Sequence, residues 1–221
     1  MKINDRHPLI LVHGLGQEAS SWNPTISFLD HQQHIFCPEL SSFLKQAPYT
    51  YEILYQHFSA YCNPISAPFH LCGLSLGAVL ALHYALDHPE NVQSLILIAP
   101  QFQMPKGLLR FQNILFRFMP QTAFASTGFS KKAFMDLTHS MMSLNFTDAL
   151  KRILCPVLVI CGEKDNTNKK AARQLADSMI NARLEVIPNA GHEVNLEQPE
   201  KLASMIYHFN SQCGNDIFHS L

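Results

Sequence analysis

Short apolar runs recur along the chain at 8–12, 34–38, 92–99, 156–161 and 184–187, and another opens at Phe69. Runs of this length, bounded by Gly, Pro or polar clusters, predict β-strands. Between them the spacing changes to three and four. Tyr51, Leu54, Tyr55, Phe58 and Tyr61 predict a helix over 51–62 with one core-facing side. Leu76, Val79, Leu80, His83 and Leu86 predict another over 76–87, stopped by Asp87-His88-Pro89. Further helices are expected from Ser20 or Ser21 to about Leu29, from Lys169 to Met179, and from Pro199 to about Phe209. The run 92–99 is apolar almost throughout, the pattern of a strand buried on both faces. Strands of that kind alternating with helices predict an α/β fold, a parallel sheet between helical layers.

The alternation stops between 100 and 150, where no strand is expected and helical pieces follow one another around Pro105, Pro120 and Gly128. Residues 1–100 and 151–221 are therefore expected to form one core domain, with 101–150 an inserted helical cap. Eight of the 15 phenylalanines and five of the eight methionines lie in that insert. Packing onto the main body accounts for most of them, and a subset is expected to line an apolar acyl pocket.

With 221 residues and 47% hydrophobic content the chain can bury a large single core. A formal net charge of -1 supplies no global field for nucleic acid or an anionic membrane, so neither is expected as a partner. The six cysteines contain no Cys-x-x-Cys pair, and most sit in apolar runs where a free thiol behaves as a small hydrophobe. No stretch has the length of a membrane span, and no signal-peptide core precedes the first strand. A soluble cytoplasmic protein is the expectation.

The chemistry concentrates at strand ends. The run from Phe69 ends in Gly73-Leu74-Ser75-Leu76-Gly77 and passes at once into a helix, the strand-turn-helix setting that a nucleophile elbow requires. Ser75 is the candidate nucleophile. His13-Gly14-Leu15-Gly16 follows the first strand as a glycine-rich loop, and Leu15 is the residue expected to point a backbone N–H above Ser75. A phosphate loop would need the Lys and spacing of a Walker motif, and both are missing. His13 is expected to shape this loop by hydrogen bonding. Asp165 follows the strand ending at Cys161, and His192 follows the strand ending at Ile187. Ser75, Asp165 and His192 thus share the carboxyl edge of the sheet, where open α/β folds gather ligands. His70, His83 and His88 have no spacing to carboxylates or cysteines that suggests a metal site.

These motifs, HGLG at 13–16, GLSLG at 73–77, GEKD at 162–165 and AGH at 190–192, resemble those of small capped α/β-hydrolases over nearly the whole chain. The resemblance implies a three-layer α/β-hydrolase fold with about six strands, all parallel, because the two strands that usually precede the His-Gly strand are absent. It implies acyl transfer with Ser75 as nucleophile, His192 as base and Asp165 as orienting acid. The oxyanion would be held by the N–H groups of Leu15 and Leu76. Asp136 and Asp148 are the rival acids, from the cap. No cofactor or metal is implied, and the partner is a small-molecule acyl substrate. The segment 38–43 departs from the family pattern, so its substrate contacts do not carry over. A menaquinone-pathway type of lyase, favoured by a basic cap (Lys106, Arg110, Arg117, Lys131, Lys132), and a non-turnover ligand receptor are the alternatives on the same fold.

Overall fold

The computed structural model describes residues 7–104, 107, 120–122, 124 and 128–213. Residues 105–106 and 108–119 of the expected cap, with Lys106, Arg110 and Arg117, lie outside these residues, as does the tail beyond Cys213.

Six strands form one sheet, and every pairing is parallel. In chain order they are β1 (Leu9–Val12), β2 (Ile35–Phe36), β3 (Phe69–Leu74), β4 (Val92–Ile98), β5 (Val157–Gly162) and β6 (Ala182–Ile187). Their spatial order is β2-β1-β3-β4-β5-β6, so the direction of winding reverses between β1 and β3. Loops leaving β1 and β3 therefore diverge to opposite faces and open a crevice at the carboxyl edge.

Period-two alternation divides the strand residues between two cores. Ile10, Val12, Leu71, Leu95, Leu97, Val157 and Val159 face one core, while Leu9, Leu11, Cys72, Ile96, Ile98, Leu158 and Ile160 face the other. The first core is closed by α2 (Tyr51–Cys62), α3 (Leu76–Asp87) and α5 (Lys169–Ser178), preceded in sequence by α4 (Lys131–Ser140), which rests on α2. The second is closed by α1 (Asn23–Ile26) and α7 (Pro199–Cys213), with the short α6 (Val194–Glu197) between β6 and α7.

Helix boundaries follow local chemistry. Thr50 caps α2 by accepting from the Ile53 N–H at 3.4 Å, and Ser130 caps α4 through the Ala133 N–H at 3.1 Å. Helix α3 is buried along almost its whole circumference, only His83 and Asp87 reaching solvent, which fits its place beside the central strands. It ends where Pro89 would need an N–H it lacks.

Several boundaries differ from expectation. The segment after the His-Gly loop begins with a 3-10 turn, Ala19–Trp22, and α1 covers only Asn23–Ile26; Glu18 takes the cap position, and Ser21 Oγ accepts from the Glu18 N–H at 3.3 Å. Pro24, with no N–H to give, resets the helix at its start. Strand β2 keeps only two residues of the run 34–38. Helix α7 runs on to Cys213, which is buried and accepts from Gln93 Nε2 at 3.0 Å. Between β4 and β5 an isolated antiparallel bridge joins Gln103 to Asn145. Phe102, Met104, Phe124, Phe129, Phe134, Met141 and Phe146 from this segment are buried in the first core. For these residues packing onto the main body is the observed role.

Candidate active site

Ser75 stands between the last residue of β3 and the first of α3, with φ 54° and ψ -111°. A side-chain-bearing residue adopts such angles only where its surroundings impose them, at a cost of about 1–3 kcal/mol. The surroundings here are backbone. A Cβ on Gly73 would lie 2.1 Å from the Gly77 carbonyl oxygen, and one on Gly77 would lie 2.1 Å from that of Val12. The turn is therefore closed by main chain on both sides, and only glycine fits at either place. The Ser75 N–H donates to the Ile98 carbonyl at 2.9 Å, and its carbonyl accepts from the Val79 N–H at 3.1 Å. Both fasten the strained residue to rigid elements.

The His13–Gly16 loop leaves β1 directly beside this turn, and a Cβ on Gly14 would sit 3.4 Å from Ser75 Cβ. His13 is fully buried and supports the loop from beneath. Its Nδ1–H donates to the Gly14 carbonyl at 2.8 Å, and its Nε2 accepts from the Leu40 N–H at 3.1 Å. Burial lowers its pKa, outweighing the Gly14 bond and the nearby Glu39 charge, so His13 is a neutral, fully committed imidazole. Glu39 in turn accepts from the Ala19 N–H at 2.9 Å, tying the departing segment 38–43 to the same loop. The N–H groups of Leu15 and Leu76 have no acceptor among the described residues.

Asp165 and His192 come from neighbouring strand ends, after β5 and β6. The Lys164 N–H donates to the Ala190 carbonyl at 2.8 Å, and the Glu163 N–H to Ile187 at 2.9 Å, so the two loops are laced together. His192 Nδ1 lies 2.8 Å from Asp165 Oδ2. Burial works to raise the Asp165 pKa, but hydrogen bonds from His192 and Asn168 outweigh it and hold the carboxyl below its ordinary value. The carboxylate side chain is 4% exposed and that of His192 42%, so the imidazole reaches solvent while its partner does not. Of the rival acids, Asp136 pairs with Lys132 and Asp148 lies exposed in a 3-10 turn. Neither bonds to His192 among the described residues. Ser75 Oγ and His192 Nε2 likewise make no hydrogen bond there, to each other or elsewhere.

Four residues at this edge escaped the sequence reading. Asn168 donates to both oxygens of Asp165, and Gln101 donates to Asn168. Gln17 and Asn195, both buried, exchange amide hydrogen bonds of 3.2 and 3.3 Å and so join the His-Gly loop to the segment after His192. Gln17 Oε1 also accepts from the Gly14 N–H at 3.4 Å. Their only sequence signal is a lone Asn or Gln shortly after a strand end. Among the described residues no cluster of three His, Cys, Asp or Glu is placed to hold a metal ion, and no helix is long and apolar enough to cross a membrane.

Fold, strand order and elbow define a hydrolase of the α/β class, and a family model described as "Alpha/beta hydrolase family" matches residues 9–205. The chain belongs to that family. A human monoacylglycerol lipase is 23% identical over 257 residues, covering 94% of this chain and 76% of its own. Among solved structures, a thermophilic esterase from Thermogutta terrifontis superposes with a TM-score of 0.80 at 21% identity, covering 94% of this chain and 90% of that one. MenH from S. aureus does so with a TM-score of 0.79 at 16% identity, covering 97% of each.

Proposed function

We propose that this protein is a serine hydrolase that cleaves a small carboxylic ester or thioester through an acyl-enzyme. The observation that carries the reading is the 2.8 Å contact between His192 Nδ1 and Asp165 Oδ2, at the sheet edge where the Ser75 elbow also ends. With Nδ1–H donating to the carboxylate, the lone pair of His192 is on Nε2, the nitrogen that must take a proton. Ser75 Oγ attacks the substrate carbonyl as His192 Nε2 removes its proton. The imidazolium is stabilised by Asp165 and then protonates the leaving group. Water, activated by the same nitrogen, releases the acyl group. The open Ser75–His192 pair is expected of a free enzyme, in which catalytic hydrogen bonds tighten as substrate binds. The N–H groups of Leu15 and Leu76, free of other acceptors among the described residues, would receive the oxyanion, each worth about 3 kcal/mol. Residues 101–150 act in this reading as a cap over the site.

Names among the relatives, a monoacylglycerol lipase and an esterase, support ester substrates. Among the described residues no observation favours the lyase or the receptor. Of the basic cap residues invoked for an acidic substrate, Lys132 is occupied by Asp136.

The test is covalent. A fluorophosphonate should label the wild-type protein and not Ser75→Ala, and ester turnover should fall by about four orders of magnitude or more in the variant. Full labelling of Ser75→Ala would sink the assignment.

A further inference from the structure

We propose that Asn168 is a positioning residue for the Asp165–His192 pair, and that its side chain occupies a second place from which a carboxylate could serve His192. This rests on the serine-hydrolase reading and extends it to a residue three positions beyond the acid. Asn168 is 7% exposed and stands at the N-cap of α5, yet its side chain caps no helix N–H. It turns instead to the site. Its Nδ2 lies 3.0 Å from Asp165 Oδ1, 2.8 Å from Asp165 Oδ2 and 3.1 Å from His192 Nδ1, while its backbone N–H donates to Oδ1 at 3.2 Å. A carboxylate only accepts, so the amide nitrogen must be the end that faces it. The amide oxygen is left for Gln101 Nε2 at 2.7 Å, which holds the amide in that orientation from the end of β4.

Two consequences follow from these distances. The amide occupies the lone pairs of Asp165 that His192 does not use, so the carboxylate is fixed with one oxygen toward Nδ1. It also draws charge from that carboxylate and moderates how strongly the imidazolium is stabilised. Because the Asn168 side chain is itself 3.1 Å from Nδ1, exchanging amide and carboxylate between positions 165 and 168 keeps an acceptor beside His192. The Gln101 donor and the 168 backbone N–H keep their acceptors in that exchange.

The experiment measures kcat, KM and the pH profile of p-nitrophenyl ester hydrolysis for Asp165→Asn, for Asp165→Asn with Asn168→Asp, and for Asn168→Ala. Asp165→Asn should lose about three to four orders of magnitude in kcat, because the amide supports the wrong tautomer. The double variant should regain at least about tenfold over it, a recovery that a merely structural Asn168 would not produce. Asn168→Ala should lower kcat by about ten- to a hundredfold at unchanged KM, with the acid limb of kcat/KM moved to higher pH. A folded double variant no more active than Asp165→Asn overturns the proposal. Should the double variant not fold, Asn168→Ala decides, and an unchanged kcat and acid limb overturn it equally. Full activity in Asp165→Asn would instead overturn the acid assignment beneath the proposal, and the proposal with it.

Discussion

Lowering the pH from about 7.5 to about 5 should cost this protein about 2 kcal/mol of stability through His70 alone. His70 is the second residue of β3, at the end of the sheet opposite the candidate site, 4% exposed, with Nδ1 2.7 Å from Ser94 Oγ. Ser94 is fully buried and donates to Asn210 Oδ1 of α7 at 3.1 Å, so His70 Nδ1 must carry the proton it shares with Ser94. A second proton would place a charge where no carboxylate among the described residues faces it, and the neighbouring His7 ring adds repulsion. Burial first, then His7, lowers the pKa from 6.5 to about 4. The unfolded chain binds a proton near 6.5 and the folded chain only near 4, so stability is full above that window and falls as pH drops through it. At pH 5 the ratio of the two binding polynomials is roughly thirtyfold, which is about 2 kcal/mol, rising to about 3 kcal/mol below pH 4. Equilibrium urea unfolding of wild type and His70→Asn at the two pH values isolates this residue, since all other titrating groups are common to both. Wild type should lose about 2 kcal/mol more than the variant. Equal losses would refute the assignment of a buried, neutral His70.

Three further outcomes are expected. Gly77→Ala should yield little folded protein, or one destabilised by more than about 4 kcal/mol in urea, because its Cβ would meet the backbone of β1 at 2.1 Å; wild-type stability would contradict that contact. Gln17→Ala should strip partners from the buried Asn195 amide and from the Gly14 N–H, costing about 1–3 kcal/mol, with each kcal/mol lowering Tm by about 2–4 °C. An unchanged Tm in a thermal melt would count against the bridge. Phe134→Ala removes a buried ring from its edge-on partner Phe124, 5.3 Å away between centroids, and should cost about 3 kcal/mol or more while leaving acyl-length preference unchanged. A shift of preference at constant stability would place Phe134 in the pocket wall instead.

The strands were legible where burial on both faces made them apolar, as in β3, β4 and β5, whose residues are divided between the two cores one by one. Legibility fell at the edges. In β6 the residues Arg183, Glu185 and Val186 are exposed, so its first turn of polar sequence hid two residues of strand, and β2 holds only two paired residues of an apolar run of five. Ser75, Asp165 and His192 could be named because each follows a strand end within a short motif. Asn168, Gln101, Gln17 and Asn195 could not. Gln101 meets Asn168 from 67 positions away, and Gln17 meets Asn195 from 178. An amide in a loop carries no periodic signal, and its role exists only once the strands have set the loops side by side.

That these fasteners are amides has a physical consequence for the site. Asn168, Gln17 and Asn195 each hold a loop by donating and accepting at once, Gln101 donates to Asn168, and none of the four adds net charge beside the imidazole. A buried lysine or a second buried carboxylate in the place of Asn168 would shift both Asp165 and His192 by direct charge interaction, strongly so in a poorly screened interior. The carboxylates bonded to the His192 loop among the described residues include Glu163, which accepts from the Asn189 N–H, Glu193, which accepts from Gln17, and Glu197, which accepts from the N–H groups on either side of His192, at Gly191 and Glu193. All three are exposed, where water and salt attenuate their fields. Geometry is thus fixed by neutral groups inside and by screened charges outside. Among the described residues one buried carboxylate, Asp165, is left to set the charge that His192 meets.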